Sequence, residues 1–346
     1  YGNFLHLFER DCTIQRRHQK IVERAPAVYL NESSRQELCR QAVKIAKAAD
    51  YINAGTVEFL QDTETNEFYF IEVNPRIQVE HTVTELVTGI DLIQAQIKIA
   101  EGEEISKSGC FLPDQGSIQL NGHAIQCRIT TEDPENNFSP DHGRISAYRS
   151  ASGFGVRLDA GTAFAGALIT PHYDSLLVKV TAWAPTAETA TRRMDRALKE
   201  FRIRGVKNNL FFLSSLINHP SFIKADYTTS FIDKTPDLIK FTTRRDRATR
   251  LLNFIGDIIV NGNPDIKDPN PPIYFKEPMA PEYSQGSIEV GTKQIFQNLG
   301  PDKFTQWILK QDKTLITDTT MRDAHQSLLA TRVRTKDLLE IAKSYA

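Results

Sequence analysis

The sequence predicts an α+β fold divided among two or three domains, and three observations carry that expectation. Its 346 residues exceed one small domain, at roughly 150 residues each. Runs that alternate with period two are interleaved with runs of helical spacing, so strands and helices share the chain. Six of the sixteen prolines lie between Pro264 and Pro281, beside Gly262, Asn263 and Asn270, which marks an extended connector and a boundary.

Taken in order, apolar residues crowd from Phe4 to Phe8 as in a strand, and the basic run Gln15-Arg16-Arg17-His18-Gln19-Lys20 follows. Asn31 to Ser34 supply a cap for a helix with Leu38, Ala42, Ile45 and Ala49 on one face. Thr56 to Leu60 and Phe68 to Val73 read as a hairpin around the polar turn Asp62 to Glu67. Thr82 and Glu85 have capping-box spacing ahead of a single helix through Leu86, Ile90, Ile93 and Ile97 that stops before Gly102. From His123 to Ile129 the chain alternates, with His123, Ile125, Cys127 and Ile129 on one side and Ala124, Gln126 and Arg128 on the other. Short glycine-rich strands from Gly143 to Gly166 precede a strand from Ser175 to Trp183. Thr186 then begins a helix carrying Ala190, Met194, Ala197 and Phe201, and a later helix carries Leu251, Leu252, Ile255 and Ile259. Beyond the connector come a short strand, Leu315 to Thr317, and a helix from Thr335.

Forty-two Lys plus Arg against forty-three Asp plus Glu leave a formal net charge of -1, so no global field draws nucleic acid or an anionic membrane. The apolar runs are strand-length, and none spans a bilayer. Cys12, Cys39, Cys110 and Cys127 fall outside the close pairs of zinc or redox motifs and are expected as free thiols of a reducing compartment.

Two acids stand inside apolar strands, Glu58 in Thr56 to Leu60 and Glu72 in Phe68 to Val73. Buried ionised and unpaired, each would cost several kcal/mol, and side by side they repel. A divalent cation answers both problems. Hard Mg2+ takes carboxylate oxygens plus phosphates, and Asn74 adds a neutral oxygen. Pairing with a local Lys or Arg, or exposure on an edge strand, would answer them too. The run Asn74-Pro75-Arg76-Ile77-Gln78-Val79-Glu80-His81 reads as extended, with Arg76, Gln78 and Glu80 on one face. An arginine fork suits a small planar oxyanion, and a carboxylate two steps on can take its proton; an intrastrand ion pair is the other reading. Lys20, Gln15 and His18 could serve a nucleotide as point charge and polar groups, or form a solvated face. Neither a Walker A motif nor Gly-x-Gly-x-x-Gly occurs, so phosphate binding would need another design.

Glu9-Arg10-Asp11-Cys12 with Gln15 to Lys20, then Phe70-Ile71-Glu72-Val73-Asn74-Pro75-Arg76-Ile77-Gln78-Val79-Glu80-His81, then Cys127-Arg128-Ile129, resemble the biotin carboxylase module of ATP-grasp enzymes. The resemblance implies the C-terminal portion of that ATP-grasp fold, and carboxylation of biotin by bicarbonate through carboxyphosphate at the expense of ATP and Mg2+. By motif position it implies that Glu58, Glu72 and Asn74 hold metal and phosphates and that Lys20 contacts the γ-phosphate and bicarbonate. Gln15, His18, Gln78 and Val79 would lie at the nucleotide and anion site, Arg76 would bind bicarbonate, Glu80 would be the general base, and Arg128 would stabilise the biotin enolate.

Asp318 to Ser327 follows directly on the expected strand Leu315 to Thr317. Catalytic groups at a strand's carboxyl end are the barrel-enzyme pattern, and Asp323 with His325 could ligate a metal, although an ordinary polar loop reads the same. Through Thr335 the run resembles the opening of the carboxyltransferase barrel of the pyruvate carboxylase family. That resemblance implies the first βα unit of a TIM barrel, a divalent metal (Zn2+ or Mn2+) on Asp323, and Arg322 and Gln326 as contacts to pyruvate. Arg202, Arg204, Arg244 and Arg247 resemble the same family's site for its activator acetyl-CoA, a solvated basic helix start being the other reading. The whole implies a biotin carboxylase part over 1–233, a helical allosteric and tetramerisation linker over 234–314 and a barrel start over 315–346. It further implies a homotetramer that makes oxaloacetate with a biotinyl domain of the parent chain, in the cytoplasm or alternatively the mitochondrial matrix. A barrel takes about 250 residues and no Ala-Met-Lys-Met run is present, so these 346 residues alone are expected to be inactive. The alternatives are a biotin carboxylase subunit of an acyl-CoA carboxylase and a non-catalytic regulatory or oligomerisation module.

Overall fold

The structure is a computed structural model that describes residues 3–105, 112–161, 163–172, 174–240, 247–262 and 291–327, and parts of 333–342. The basic run is a hairpin. Strands β1 (Asp11–Arg16) and β2 (Gln19–Ala25) pair antiparallel around Arg17 and His18, whose φ values of 49° and 64° give a two-residue turn matched to the twist of its strands. Helix α1 (Glu32–Ala48) starts where expected, with the Asn31 side chain accepting the Ser34 N–H at 2.8 Å. Strands β3 (Thr56–Gln61) and β4 (Phe68–Asn74) form the expected hairpin, which sets Glu58 directly opposite Glu72.

The single helix expected across 82–97 is two. Helix α2 (His81–Thr88) ends at Gly89, whose φ of 71° reverses the chain, and Asp91 caps a fresh helix α3 (Leu92–Ala100) by accepting the Gln94 N–H. A left-handed glycine and a new cap cost less than forcing both through one helix. The expected capping box does not form either. Thr82 is buried and points into the sheet, where its hydroxyl meets Gln126 and Thr181, and Glu85 reaches forward to the Leu92 N–H at 2.8 Å.

Strands β5 (His123–Thr130), β6 (Val156–Ala160) and β7 (Leu176–Ala184) complete a five-stranded antiparallel sheet in the order β1-β2-β5-β7-β6. Its β5 strand keeps the predicted alternation. Ile125, Cys127 and Ile129 face a core shared with Val180, Met194, Phe212 and Leu213 beneath helices α4 (Ala187–Glu200) and α5 (Leu210–Ile217). On the opposite face Ala124 packs with Ala25, Val83 and Val87, the last two from α2. Burying each large apolar side chain contributes about 1.5–3 kcal/mol, so the strands that carry the site are held from both sides.

Two expected strands are not formed. Residues 4–8 run without ladder pairing, and Leu5, Leu7 and Phe8 pack instead around Ile90, Ala95, Leu112 and Ile118. Leu315 to Thr317 has no strand beside it among the described residues and continues as irregular chain into a wide helical turn, Thr320–Ala324. Helix α6 (Arg247–Asn261) is where the apolar spacing put it, and α7 (Thr292–Leu309) is bent at Gly300-Pro301. Cys12, Cys39 and Cys127 are free thiols, as expected; Cys110 and the segment Pro264 to Pro281 lie outside the described residues. Among the described residues no helix is long and apolar enough to cross a membrane.

Candidate functional site

Five charges alternate through the site. The Lys20 ammonium, from β2, donates to Glu58 on β3 at 2.8 Å and to Glu80 at 2.6 Å. The other Glu80 oxygen faces Arg128 on β5 at 3.2 Å, and Arg128 also binds the wholly buried Glu23 of β2, its Nε donating at 2.8 Å. Antiparallel pairing explains the last contact. Glu23 sits opposite Gln126, so Gln126 and Arg128, two apart on β5, can both reach it, and the Gln126 amide donates to Glu23 at 2.9 Å.

The surroundings set the protonation of these groups. Burial would raise the pKa of Glu80, but the cations of Lys20, Arg10 and Arg128 outweigh it and hold the carboxyl below its ordinary value. Glu80 is therefore ionised at neutral pH and can accept a proton. Burial would lower Lys20, and the acidic groups around it raise it instead; Arg128 is likewise raised, by Glu23 and Glu80 against its burial. Glu23 is pushed up, because desolvation there exceeds the help of Arg128 and Gln126.

The expected extended run from Asn74 to His81 is a correction. Pro75 lacks the N–H a ladder needs, the strand ends at Asn74, and two turns follow, with Arg76 N–H bonded to Asn74 O and His81 N–H to Gln78 O. Gln78 and Glu80 turn inward and are buried, while Arg76 is exposed and donates to the Ile77 carbonyl. Arg76, Gln78 and Glu80 thus do not share one strand face. Glu80 occupies the position just before α2.

The β3–β4 hairpin gathers oxygens. The Asn74 amide donates to Glu58 Oε1 at 3.0 Å and to Glu72 Oε1 at 2.9 Å, and Gln78 Nε2 donates to the same Glu58 oxygen at 2.6 Å. The reading in which Glu58 pairs with a local lysine is realised, and Glu72 is exposed. Even so, Oε2 of both carboxylates and the side-chain Oδ1 of Asn74 carry no hydrogen bond from the described residues. Such a set fits Mg2+, which takes one or two carboxylates and fills its shell with water and phosphate oxygens. No cluster of three or more His, Cys, Asp or Glu ligands occurs among the described residues, so an all-protein metal cage is not built here.

Other expected residues stand apart from this cluster or only border it. Gln15 lies across the hairpin from Lys20, and both line a cleft of 1110 Å³ together with Arg10, Glu58, Arg76 and Gln78. The cleft's far walls are apolar, with Leu38, Ala42 and Ile45 of α1 and Phe59 and Ile71 of the β3–β4 hairpin. His18 is exposed at the β1–β2 turn, and Val79 offers its carbonyl to Lys179 at 3.2 Å. Arg202 and Arg204 lie on a short strand paired with Ala147–Arg149; Arg247 opens α6, and Arg244 falls outside the described residues. Asp323 pairs with Arg322 at 3.5 Å in the wide turn, which Gln326 follows.

Sequence reasoning missed Glu23, Gln126 and Arg10. For the first two a signal existed: an acid inside Ile21-Val22-Glu23-Arg24-Ala25 and an amide on the polar side of β5 next to Arg128.

Comparison with known proteins bears on the same residues. The family model for the carbamoyl-phosphate synthase L chain, ATP binding domain, matches residues 1–108, and the one for the biotin carboxylase C-terminal domain matches 126–234. Pyruvate carboxylase of Bacillus subtilis is 52% identical over 346 residues, 100% of this chain and 30% of that protein. Along its whole length the chain is similar to part of a pyruvate carboxylase. Pyruvate carboxylase 1 of Caenorhabditis elegans is 50% identical over 99% of the chain, which covers 29% of it. The complete multifunctional pyruvate carboxylase of Rhizobium etli is 60% identical, with a TM-score of 0.71 over 100% of this chain and 32% of its own. A bicarbonate-bound biotin carboxylase domain of a thermophilic 2-oxoglutarate carboxylase is 43% identical, with a TM-score of 0.66 over 70% of this chain and 53% of its own. The chain therefore spans about a third of the length of the pyruvate carboxylases it matches, and the fold of its first two thirds is the C-terminal portion of a biotin carboxylase of the ATP-grasp type.

Proposed function

We propose that this chain supplies the bicarbonate-activating and biotin-facing half of a biotin carboxylase site within a pyruvate carboxylase. The observation that carries the reading is Glu80, buried, ionised and held between Lys20 and Arg128 beside the oxygen-rich β3–β4 hairpin. Mg2+, when bound, would neutralise the phosphates of ATP and align them for in-line attack. Glu58, Glu72 and Asn74 would hold it, and Lys20 would meet the terminal phosphate. Arg76, exposed and among the residues lining the cleft, would bind bicarbonate. Glu80 then takes the bicarbonate proton, the freed oxygen attacks the γ-phosphorus, and ADP leaves carboxyphosphate behind. Arg128 would supply a fixed cation for negative charge on the ureido oxygen of biotin, since a preorganised donor stabilises an oxyanion without reorganisation.

The wider reading follows from the same kinship. The intact protein would convert pyruvate to oxaloacetate as a homotetramer, with the divisions 1–233, 234–314 and 315–346 and a location in the cytoplasm. Arg202, Arg204, Arg244 and Arg247 would meet acetyl-CoA; a Rhizobium etli relative was solved with that activator. Residues from 315 onward would open a carboxyltransferase barrel, with Asp323 on its metal and Arg322 and Gln326 toward pyruvate, a reading supported by the sequence run alone. In the full-length protein, Glu80→Gln should abolish bicarbonate-dependent ATP cleavage and leave MgATP binding within about twofold, since the metal oxygens belong to other residues. Calorimetric titration with phosphate-release assays would show it, and near-normal turnover would remove Glu80 from the base role.

A further inference from the structure

Arg10 precedes β1 and carries no assigned role, yet it touches three of the segments that build the site. One terminal nitrogen donates to Gln78 Oε1 at 2.6 Å and to Thr56 Oγ1 at 3.1 Å, and the other donates to Thr84 Oγ1 at 3.2 Å. Thr56 begins the strand of Glu58, Gln78 lies in the turns before Glu80, and Thr84 sits in the helix that Glu80 heads. All three partners are neutral oxygens, and Arg10 has no carboxylate within ion-pair reach among the described residues.

A guanidinium only donates, so a glutamine bonded to it must present its oxygen. Arg10 therefore fixes the Gln78 amide with Oε1 toward itself and Nε2 toward Glu58 Oε1, 2.6 Å away. With the amide reversed, two oxygens would face each other at that distance. Held as it is, Glu58 Oε1 collects three N–H donors, from Lys20, Asn74 and Gln78. That saturates one oxygen and leaves Oε2 as the free one.

We infer that Arg10 is a positioning residue which, by locking the Gln78 amide, fixes which Glu58 oxygen is presented to a metal–nucleotide complex. This rests on the reading of Glu58 as a ligand of that complex. Outer partners that orient a metal ligand change metal affinity by about 10- to 100-fold when removed.

The test measures binding rather than turnover: calorimetric titration of the full-length protein with ADP, with and without Mg2+. Arg10→Met should weaken MgADP about tenfold and leave metal-free ADP unchanged, and Gln78→Met should weaken MgADP to a similar extent. Combined, the two substitutions should cost little more than either alone, because Arg10 acts through Gln78. Arg10→Gln gives the same comparison should the Met variant fail to fold. An unchanged MgADP affinity in a folded Arg10 variant would overturn the inference, as would full additivity of the two substitutions or equal weakening of ADP with and without metal. Glu58→Gln separates the inference from its premise. If Glu58→Gln weakens MgADP while the Arg10 variants do not, the positioning role alone falls; if it too leaves MgADP unmoved, Glu58 is not a ligand and the premise falls.

Discussion

Replacing Lys20 with Met removes the ammonium that lies 2.8 Å from Glu58 and 2.6 Å from Glu80 and keeps most of the side-chain volume. Glu80 is only 3% exposed and would keep Arg128 at 3.2 Å. Breaking a buried pair by deleting one partner costs about 3–5 kcal/mol. With the Lys20 side chain 21% exposed and Arg128 still present, about 2–3 kcal/mol is expected at neutral pH. The pH dependence carries the sharper signal. The folded pKa of Glu80 lies below its unfolded value, which is near 4.3. Its stabilisation is therefore complete above about pH 4.3 and is lost as pH falls through the folded value. Removing Lys20 deletes the largest influence that lowers the Glu80 pKa and leaves burial against Arg10 and Arg128, so the folded pKa is expected to rise above the unfolded one. The variant then gains stability as pH falls toward the unfolded value, because protonation removes a buried charge, and its deficit shrinks by about 1.4 kcal/mol for each unit of the rise. Urea unfolding followed by the fluorescence of Trp183, which sits in β7 of the same sheet, would measure this from about pH 5 to about pH 8. A deficit that does not change with pH would mean that Lys20 contributes packing and not charge, and the electrostatic account of Glu80 would fail.

Three further outcomes are expected. Arg128→Ala in the full-length protein should slow carboxyl transfer to biotin by about 2.7–4 kcal/mol, the range for losing one oxyanion donor, and slow bicarbonate-dependent ATP cleavage less, through its pairing with Glu80 alone; equal losses in the two half-reactions, measured separately, would count against it. Met194→Ala empties a fully buried position between α4 and the sheet and should cost about 2–5 kcal/mol in denaturant unfolding. Gly205→Ala puts a Cβ against the Arg144 carbonyl at a φ of 97° and should lower the melting temperature by several degrees, about what 1–3 kcal/mol of strain implies; an unchanged melting curve would mean the chain relaxes there freely.

The sheet and helices of the first 234 residues were largely legible because their periodicity is local. Asn31 as a cap, the β3–β4 hairpin and the alternation of β5 each follow from a few neighbouring residues. The errors came where distant chain decides. Phe4 to Phe8 has strand composition, but a strand needs a partner, and the contacts there are side-chain packing around Ile90 and Leu112. The run after Asn74 keeps period two in sequence while Pro75 breaks the ladder, so its alternation codes for turns that send Gln78 and Glu80 inward. Within the site, Lys20, Glu58, Glu80 and Arg128 were named from sequence and meet in space. Glu23 was passed over because its partners, Gln126 and Arg128, lie more than a hundred residues away, a separation at which spacing says nothing.

The alternation Glu58, Lys20, Glu80, Arg128, Glu23 constrains how such a site can change over evolutionary time. Each member is the partner of the next, and the five come from three strands and a loop that share no local sequence signal. A charge-altering substitution at any interior member strands its neighbours, so the second change that would rescue it must arise in a separate part of the gene. Single steps through sequence space are uphill on both sides, and drift here should proceed by paired exchange or not at all. Exposed positions of the surrounding helices, such as Gln36, Lys44 and Arg192, lie outside this chain of charges and can diverge one residue at a time.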